Sequence, residues 1–261
     1  MRAIAVAQTI PIRGDVEANV EHHLYLTRIA AEAGAQVVVF PELSLTGYEL
    51  DLGECLAFSP DDVRLGRLME AAAASSMLLI VGAPARLESR LHIGAFILYP
   101  GGTVEVYTKH HLGAFSSNAE CDGIVPPAEA TLFQPGDRNP PVRFGESTGA
   151  VAVCADTGRP SHPAAAAARG ATSYLASMFV IPSEFERETV NLRSTAERYG
   201  MAVGFANYGG PSGGLASAGR SAIWSGSGEV LVQLDRAGAG VAVASEGSGG
   251  WSGWRVMLDS R

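Results

Sequence analysis

Gln36-Val37-Val38-Val39-Phe40-Pro41-Glu42 decides the architecture. The run Val37 to Phe40 is continuous, apolar and mostly β-branched, with no polar face breaking it. Such a run reads as a strand covered on both sides, as strands are inside an α/β sheet. Pro41 ends it and leaves Glu42 at the strand's carboxyl end. Upstream, residues 15–33 read as an amphipathic helix, with Val20, Leu24, Ile29 and Ala30 as its apolar stripe and Gly34 as its stop. Before that, residues 2–8 read as a buried first strand. Strand, helix, strand is the unit that builds a parallel sheet.

Downstream the pattern continues with a helix over 61–76 and a strand over 77–83. Residues 91–99 and 103–108 form a hairpin about the turn Pro100-Gly101-Gly102, and it ends at Lys109. A Gly-, Ser- and Pro-rich loop over 110–130 is longer than a connector needs to be, and loops of that length are usually functional or mobile. Residues 149–153 form a short strand delivering Cys154. A helix over 163–170, a strand over 171–176, a helix over 184–199 and a strand over 201–206 follow. Residues 221–244 read as antiparallel strands turning at Ser225-Gly226-Ser227-Gly228. The order fits a mixed sheet, or two stacked sheets with helices outside. No repeated motif and no linker divides the chain, so 1–261 reads as a single domain.

Composition narrows the function. The formal charge of −8, with 19 Lys and Arg scattered among 27 acids, argues against a nucleic-acid partner. The charged runs about Arg67 and over Glu184-Phe185-Glu186-Arg187-Glu188 read as solvated helix faces. Three cysteines, Cys55, Cys121 and Cys154, make no closed disulfide framework and no Cys-x-x-Cys pair, which fits a reducing compartment. The amino terminus is too short in apolar residues for a secretory leader, and no apolar stretch reaches the ~20 residues of a membrane span. The expectation is a cytoplasmic protein with no membrane partner.

Glu42, Lys109 and Cys154 share a position type: each follows an apolar strand, where open α/β sheets place their ligand crevice. A carboxylate, an amine and a thiol can meet there. Taken singly, each has a blander reading. A lone strand-end cysteine serves as a small buried hydrophobe, a glutamate as a cap, and a lysine as an exposed charge.

The local sequences separate these readings. Phe40-Pro41-Glu42-Leu43-Ser44-Leu45-Thr46-Gly47-Tyr48, Tyr107-Thr108-Lys109-His110-His111-Leu112 and Val151-Ala152-Val153-Cys154-Ala155-Asp156 resemble the three signature segments of the carbon–nitrogen hydrolase (nitrilase) superfamily, in that family's order. Glu129, ahead of Phe133-Gln134-Pro135-Gly136-Asp137, resembles the family's second glutamate; Glu120 on the same loop competes for that place. Asn207-Tyr208-Gly209, Gly219-Arg220-Ser221 and Ser227-Gly228-Glu229-Val230 match the C-terminal pattern, so the resemblance runs end to end.

The resemblance implies a four-layer α-β-β-α sandwich of two mixed sheets with helices outside, often paired through its helices into a homodimer. It implies hydrolysis through an acyl-enzyme on Cys154, with no metal and no organic cofactor. Glu42 is then the general base, Lys109 and the backbone N–H of Ala155 the oxyanion donors, and Glu129 the group that orients Lys109. His111 takes a structural place, and Asp156 holds the turn. Cys55 and Cys121 read as ordinary thiols. Trp224, Trp251 and Trp254 read as packing, the last two in a Gly/Ser-rich tail free to cover a neighbouring subunit.

The chain departs from the family after the nucleophile. In Cys154-Ala155-Asp156-Thr157-Gly158-Arg159-Pro160, glycine occupies the usual arginine position and Arg159 stands one step later. Either Arg159 meets substrate from there, or Gly158 leaves room for a bulkier group. Ala155-Asp156 replaces the Trp-Glu of nitrile-hydrolysing members, which favours amides. With no ligase segment or membrane anchor in these residues, the expectation is a free-standing amidase of small molecules. Nitrile hydrolysis, acyl transfer to an amine, and a non-catalytic binding protein of the same fold are the alternatives.

Overall fold

The computed structural model describes residues 2–258. In chain order the elements are β1 (Arg2–Gln8), α1 (Val16–Glu32), β2 (Val37–Val39), α2 (Gly66–Ser75), β3 (Leu78–Leu87), β4 (Arg90–Leu98), β5 (Val104–Thr108), β6 (Val142–Phe144) and β7 (Ser147–Val153). They continue with α3 (Ser161–Ala168), β8 (Ser173–Ser177), α4 (Phe185–Tyr199), β9 (Ala202–Ala206), β10 (Ala222–Trp224), β11 (Val230–Gln233), β12 (Gly240–Gly247) and β13 (Gly250–Met257). Short 3-10 turns occupy Leu50–Leu52, Val63–Leu65, Glu129–Thr131 and Cys154–Asp156.

The strands form two mixed sheets. One has the order β13-β12-β1-β2-β3-β4-β5, the other β11-β10-β9-β8-β7-β6. Each has three parallel strands at its centre, β1, β2 and β3 in the first and β7, β8 and β9 in the second, with antiparallel strands outside them. Alternation along the central strands assigns the layers. Ile4, Val6, Val37, Val39 and Ile80 meet Val151, Val153 and Leu175 between the sheets. Ala5, Ala7, Val38, Leu79 and Val81 face outward onto Val20 and Leu26 of α1 and Leu68 and Ala72 of α2. On the other side, Ala152, Tyr174, Ala176 and Phe205 face Ala166 of α3 and Leu192 and Ala196 of α4. This is the four-layer α-β-β-α sandwich, and it explains why the central strands carry apolar residues on both faces.

Several boundaries differ from the sequence reading. The helix over 61–76 opens as a 3-10 turn and becomes α-helical only from Gly66. Strand β3 runs past residue 83 through Pro84. The Pro84 carbonyl accepts from Phe58 N–H at 2.8 Å on the side away from β4, so the missing N–H faces the side where no strand pairs continuously. Strands β6 and β13 were not anticipated. The tail holding Trp251 and Trp254 is an edge strand paired with β12 from Gly240↔Met257 to Gly247↔Gly250. Among the described residues, no helix is long and apolar enough to cross a membrane.

Candidate active site

Four side chains arrive from four separate stretches of chain. Glu42 sits in a turn just past β2. Phe40 N–H still bonds Ile80 O at 2.9 Å, and Ser44 N–H then folds back to Pro41 O at 3.2 Å. Leu43 takes a left-handed φ of 53°, a strained value for a branched residue. This turn lies directly on β3 at Gly82, where a Cβ would stand 2.3 Å from Leu43 N and 2.5 Å from Pro41 O. No other residue fits under Glu42. From the second sheet's side, the Tyr208 hydroxyl donates to the Glu42 carbonyl.

Lys109 directly follows β5, its N–H held by Ile93 O at 2.9 Å. Cys154 directly follows β7 with φ 42°, and opens the 3-10 turn Cys154–Asp156. The buried Asp156 carboxylate fixes that turn to the strand carrying the lysine. It accepts from Tyr107 Oη at 2.7 Å, from His111 N at 2.8 Å and from Val153 N at 3.3 Å. His111 Nδ1 also lies 2.9 Å from it, so His111 and Asp156 are parts of the scaffold. Behind them His162 Nε2 lies 2.9 Å from Tyr107 Oη and its Nδ1 2.8 Å from Tyr174 Oη. Burial holds its pKa down at about 4, so the ring is neutral. The described residues contain no group of histidine, cysteine and carboxylate side chains suited to a metal ion.

Lys109 Nζ lies 2.7 Å from Glu42 Oε1 and 2.7 Å from Glu129 Oε1, and all three residues are buried to within 1%. The two carboxylates differ in what they have left to offer. Glu129 Oε1 also accepts from Tyr48 Oη at 2.7 Å, and its Oε2 accepts from Gly113 N at 2.7 Å. Among the described residues, Glu42 Oε2 accepts no hydrogen bond. A buried oxygen without a hydrogen bond is costly and rare, and it marks Glu42 as the carboxylate free to take a proton. Glu120 is exposed, whereas Glu129 is buried against Lys109.

Electrostatics follow from burial and charge count. Burial pushes the Glu42 carboxyl up to about 7 against the pull of the Lys109 ammonium, and the Glu129 charge adds to the rise. Burial also penalises the Lys109 ammonium, but the two carboxylates outweigh it, so the amine stays charged far above neutral pH. Burial and the Glu42 charge push the Cys154 thiol up, so the resting sulfur keeps its proton. Cys154 as a residue is half-buried, and its sulfur lies 3.7 Å from Phe179 O.

It opens on a cavity of about 300 Å³. Tyr48, Phe115 and Phe179 form an aromatic wall with ring centroids 5.1–5.6 Å apart. Ala155 and Gly158 line the cavity with Cys154, and Ala155 is the middle residue of the 3-10 turn Cys154–Asp156. Arg159, Glu184, Arg187 and Glu188 form the rim. The run at the start of α4, read from sequence as a solvated face, therefore borders the cavity, with Arg187 paired to Glu188 at 2.8 Å and Glu184 at 3.2 Å. Sequence reasoning also gave no role to Tyr48, although it lies in the quoted Phe40 segment.

The chain belongs to the carbon–nitrogen hydrolase family, whose model matches residues 3–255. It is a cysteine hydrolase of the nitrilase superfamily. The NitN amidase of Nesterenkonia sp. AN1 superposes with a TM-score of 0.81 at 25% identity, over 95% of this chain and 94% of that one. A variant of the same amidase in complex with butyramide gives 0.79 at 25% identity, over 93% and 89%. Another carries the acetamide moiety of fluoroacetamide added covalently at its active-site cysteine, again at 0.79 and 25%, over 93% and 89%. By sequence, the glutamine-dependent NAD(+) synthetase of Rhodobacter capsulatus is 30% identical over 193 residues, 73% of this chain and 32% of that protein. The synthetase of Mycobacterium tuberculosis is 28% identical over 248 residues, 87% and 36% respectively. The chain spans about a third of the length of these curated relatives.

Proposed function

We propose that this chain is an amidase of small molecules, working as one catalytic unit through a thioester on Cys154. The observation that carries the reading is the asymmetry around Lys109: two buried carboxylates share one ammonium, and among the described residues both Glu129 oxygens are bonded while Glu42 Oε2 accepts no hydrogen bond. In this reading Glu42 takes the Cys154 proton as sulfur attacks the amide carbon. A base with a pKa near neutrality suits a thiol held protonated at rest.

The carbonyl oxygen becomes an oxyanion. Lys109 has three N–H donors and spends two on glutamates, so the third serves the oxyanion together with the Ala155 N–H. Collapse breaks the C–N bond, and Glu42 returns the proton to the departing ammonia or amine. Water then gives a proton to Glu42 and attacks the thioester carbon, and the acid leaves as the thiol is reprotonated. Glu129, saturated by Lys109, Tyr48 and Gly113, holds the ammonium in place. The apolar wall of the cavity suits a short acyl chain, consistent with the butyramide bound by the Nesterenkonia relative.

A second reading has its own support. The curated relatives are glutamine-dependent synthetases, and the rim offers both carboxylates and guanidinium groups to an amino-acid head group. Mass spectrometry of enzyme quenched with a panel of aliphatic amides and glutamine distinguishes the two. An aliphatic acyl mass on Cys154 supports the first and a γ-glutamyl mass the second; an unmodified Cys154 with turnover proceeding overturns both. With Glu42 as base, kcat/KM is expected to rise with pH through about 7, because the group acts only when ionised. A pH–rate profile in which that limb survives Glu42→Gln unchanged assigns it to another group.

A further inference from the structure

The Glu42 turn is gripped from the outer helix layer by a histidine that touches neither substrate space nor sulfur. His23 lies in the middle of α1 and is fully buried. Its Nδ1 stands 2.6 Å from the Asn19 carbonyl, which can only accept, so Nδ1 carries the hydrogen. Nε2 therefore presents a lone pair to Ser44 Oγ at 2.9 Å, and the serine hydroxyl donates to it. Ser44 Oγ in turn accepts from Gly82 N–H at 3.2 Å, which closes a chain from α1 through the turn to β3. The His23 ring also stacks on Phe40, with centroids 4.1 Å apart and planes 25° apart.

Phe40 and Ser44 stand two residues to either side of Glu42, so one side chain holds both flanks of the turn. Asn19, one helical turn before His23, adds a third grip by donating from Nδ2 to Leu45 O at 3.1 Å. Burying an imidazole in an apolar layer is unfavourable unless its nitrogens are bonded, and an aliphatic residue would fill the same space. Burial depresses its pKa to about 4, which keeps the lone pair available at neutral pH.

We propose that His23, acting through Ser44 and Phe40, is a positioning residue that fixes the strained Pro41-Glu42-Leu43 turn so that the Glu42 carboxylate reaches both Lys109 and the thiol. The proposal rests on the reading of Glu42 as the base. Releasing the turn lets Leu43 relax from its left-handed φ and moves Glu42 away from its 2.7 Å contact with Lys109. Displacements near 1 Å in a reacting group lower rates by roughly 10²-fold.

The test compares His23→Phe, His23→Gln and Ser44→Ala in steady-state kinetics across pH, each checked for its folded fraction by thermal melting. His23→Phe keeps a ring against Phe40 but offers Ser44 no acceptor, whereas the Gln carbonyl oxygen can accept from it. The expected result is a kcat lower by roughly 10- to 100-fold in His23→Phe and Ser44→Ala. KM stays within about twofold, the pH limb assigned to Glu42 moves, and His23→Gln recovers most of the rate. Folded variants with wild-type kcat and an unmoved limb overturn the proposal. So does a loss that merely tracks the folded fraction. If His23→Phe fails to fold, the smaller change Ser44→Ala decides by the same criteria. Glu42→Gln is assayed in parallel: if it is fully active, the base reading has failed, whereas an inactive Glu42→Gln beside unaffected His23 and Ser44 variants condemns the positioning role alone.

Discussion

Cys154→Ala is expected to lower amide turnover by about 10⁴-fold or more while leaving the protein folded. The kinetic loss is large because, among the described residues, no second thiol lines the cavity. Cys55 is exposed and Cys121 belongs to the loop contacting Leu215, and neither lines the cavity. The structural loss is small for a separate reason. Alanine keeps the Cβ, so the strained φ of 42° at this position costs both residues alike. Cys154 is a half-buried residue, and its thiol makes a long contact with Phe179 O at 3.7 Å. Steady-state assays beside thermal melts check both halves. Wild-type turnover in the variant rejects Cys154 as nucleophile, and a melting temperature collapsing with activity transfers the effect to the fold.

The parts of this fold legible in the sequence are those where local and tertiary demands coincide. β1 and β2 are covered on both faces, so Val37-Val38-Val39 announces its environment without reference to any partner. The same holds for the helix start at Asp15, whose carboxylate caps Ala18 N–H at 3.0 Å. Local sequence is silent about which sheet a strand joins. β12 follows β11 in the chain but leaves its sheet, pairing with β1 from Arg2↔Glu246 to Gln8↔Gly240, a closure of the two ends of the chain that no window reveals. β13 is mostly exposed and rich in Gly and Ser, so it carries no apolar pattern; its ladder with β12 alone defines it.

The site divides in the same way. Glu42, Lys109 and Cys154 were legible because each ends a strand inside a distinctive segment. The different hydrogen bonding of the two glutamates was not. It depends on Tyr48 and Gly113 saturating Glu129 from distances of 81 and 16 residues. Nor could charge pattern tell a solvated face of α4 from a cavity rim, since both are polar and differ only in what stands opposite. Aromatic residues on the loop after Lys109, such as Phe115, reveal themselves only when Phe179 arrives from the other sheet.

Lys109→Ala is expected to lower kcat by about 10²–10³-fold with little change in KM, and also to destabilise the protein. The two effects have distinct origins. In the wild type the ammonium separates Glu42 from Glu129, each 2.7 Å from Nζ, with no solvent to screen them. Removing it leaves two buried carboxylates and no cation, a loss of about 3–5 kcal/mol when one partner of a buried ion pair is deleted. Part of that is recovered if Glu42 takes a proton, because burial already raises its pKa to about 7 and the counter-pull of Lys109 is gone. Yet a protonated Glu42 is no base, so the rescue of stability is itself a loss of catalysis. The low-pH limb of kcat/KM should therefore move to higher pH in this variant, in the opposite direction to any change that brings more positive charge near Glu42. Thermal melts read the stability, and pH–rate profiles read the limb. A variant that raises KM alone speaks against oxyanion stabilisation, since a charge that acts on the ground-state amide and the transition state equally cannot affect kcat.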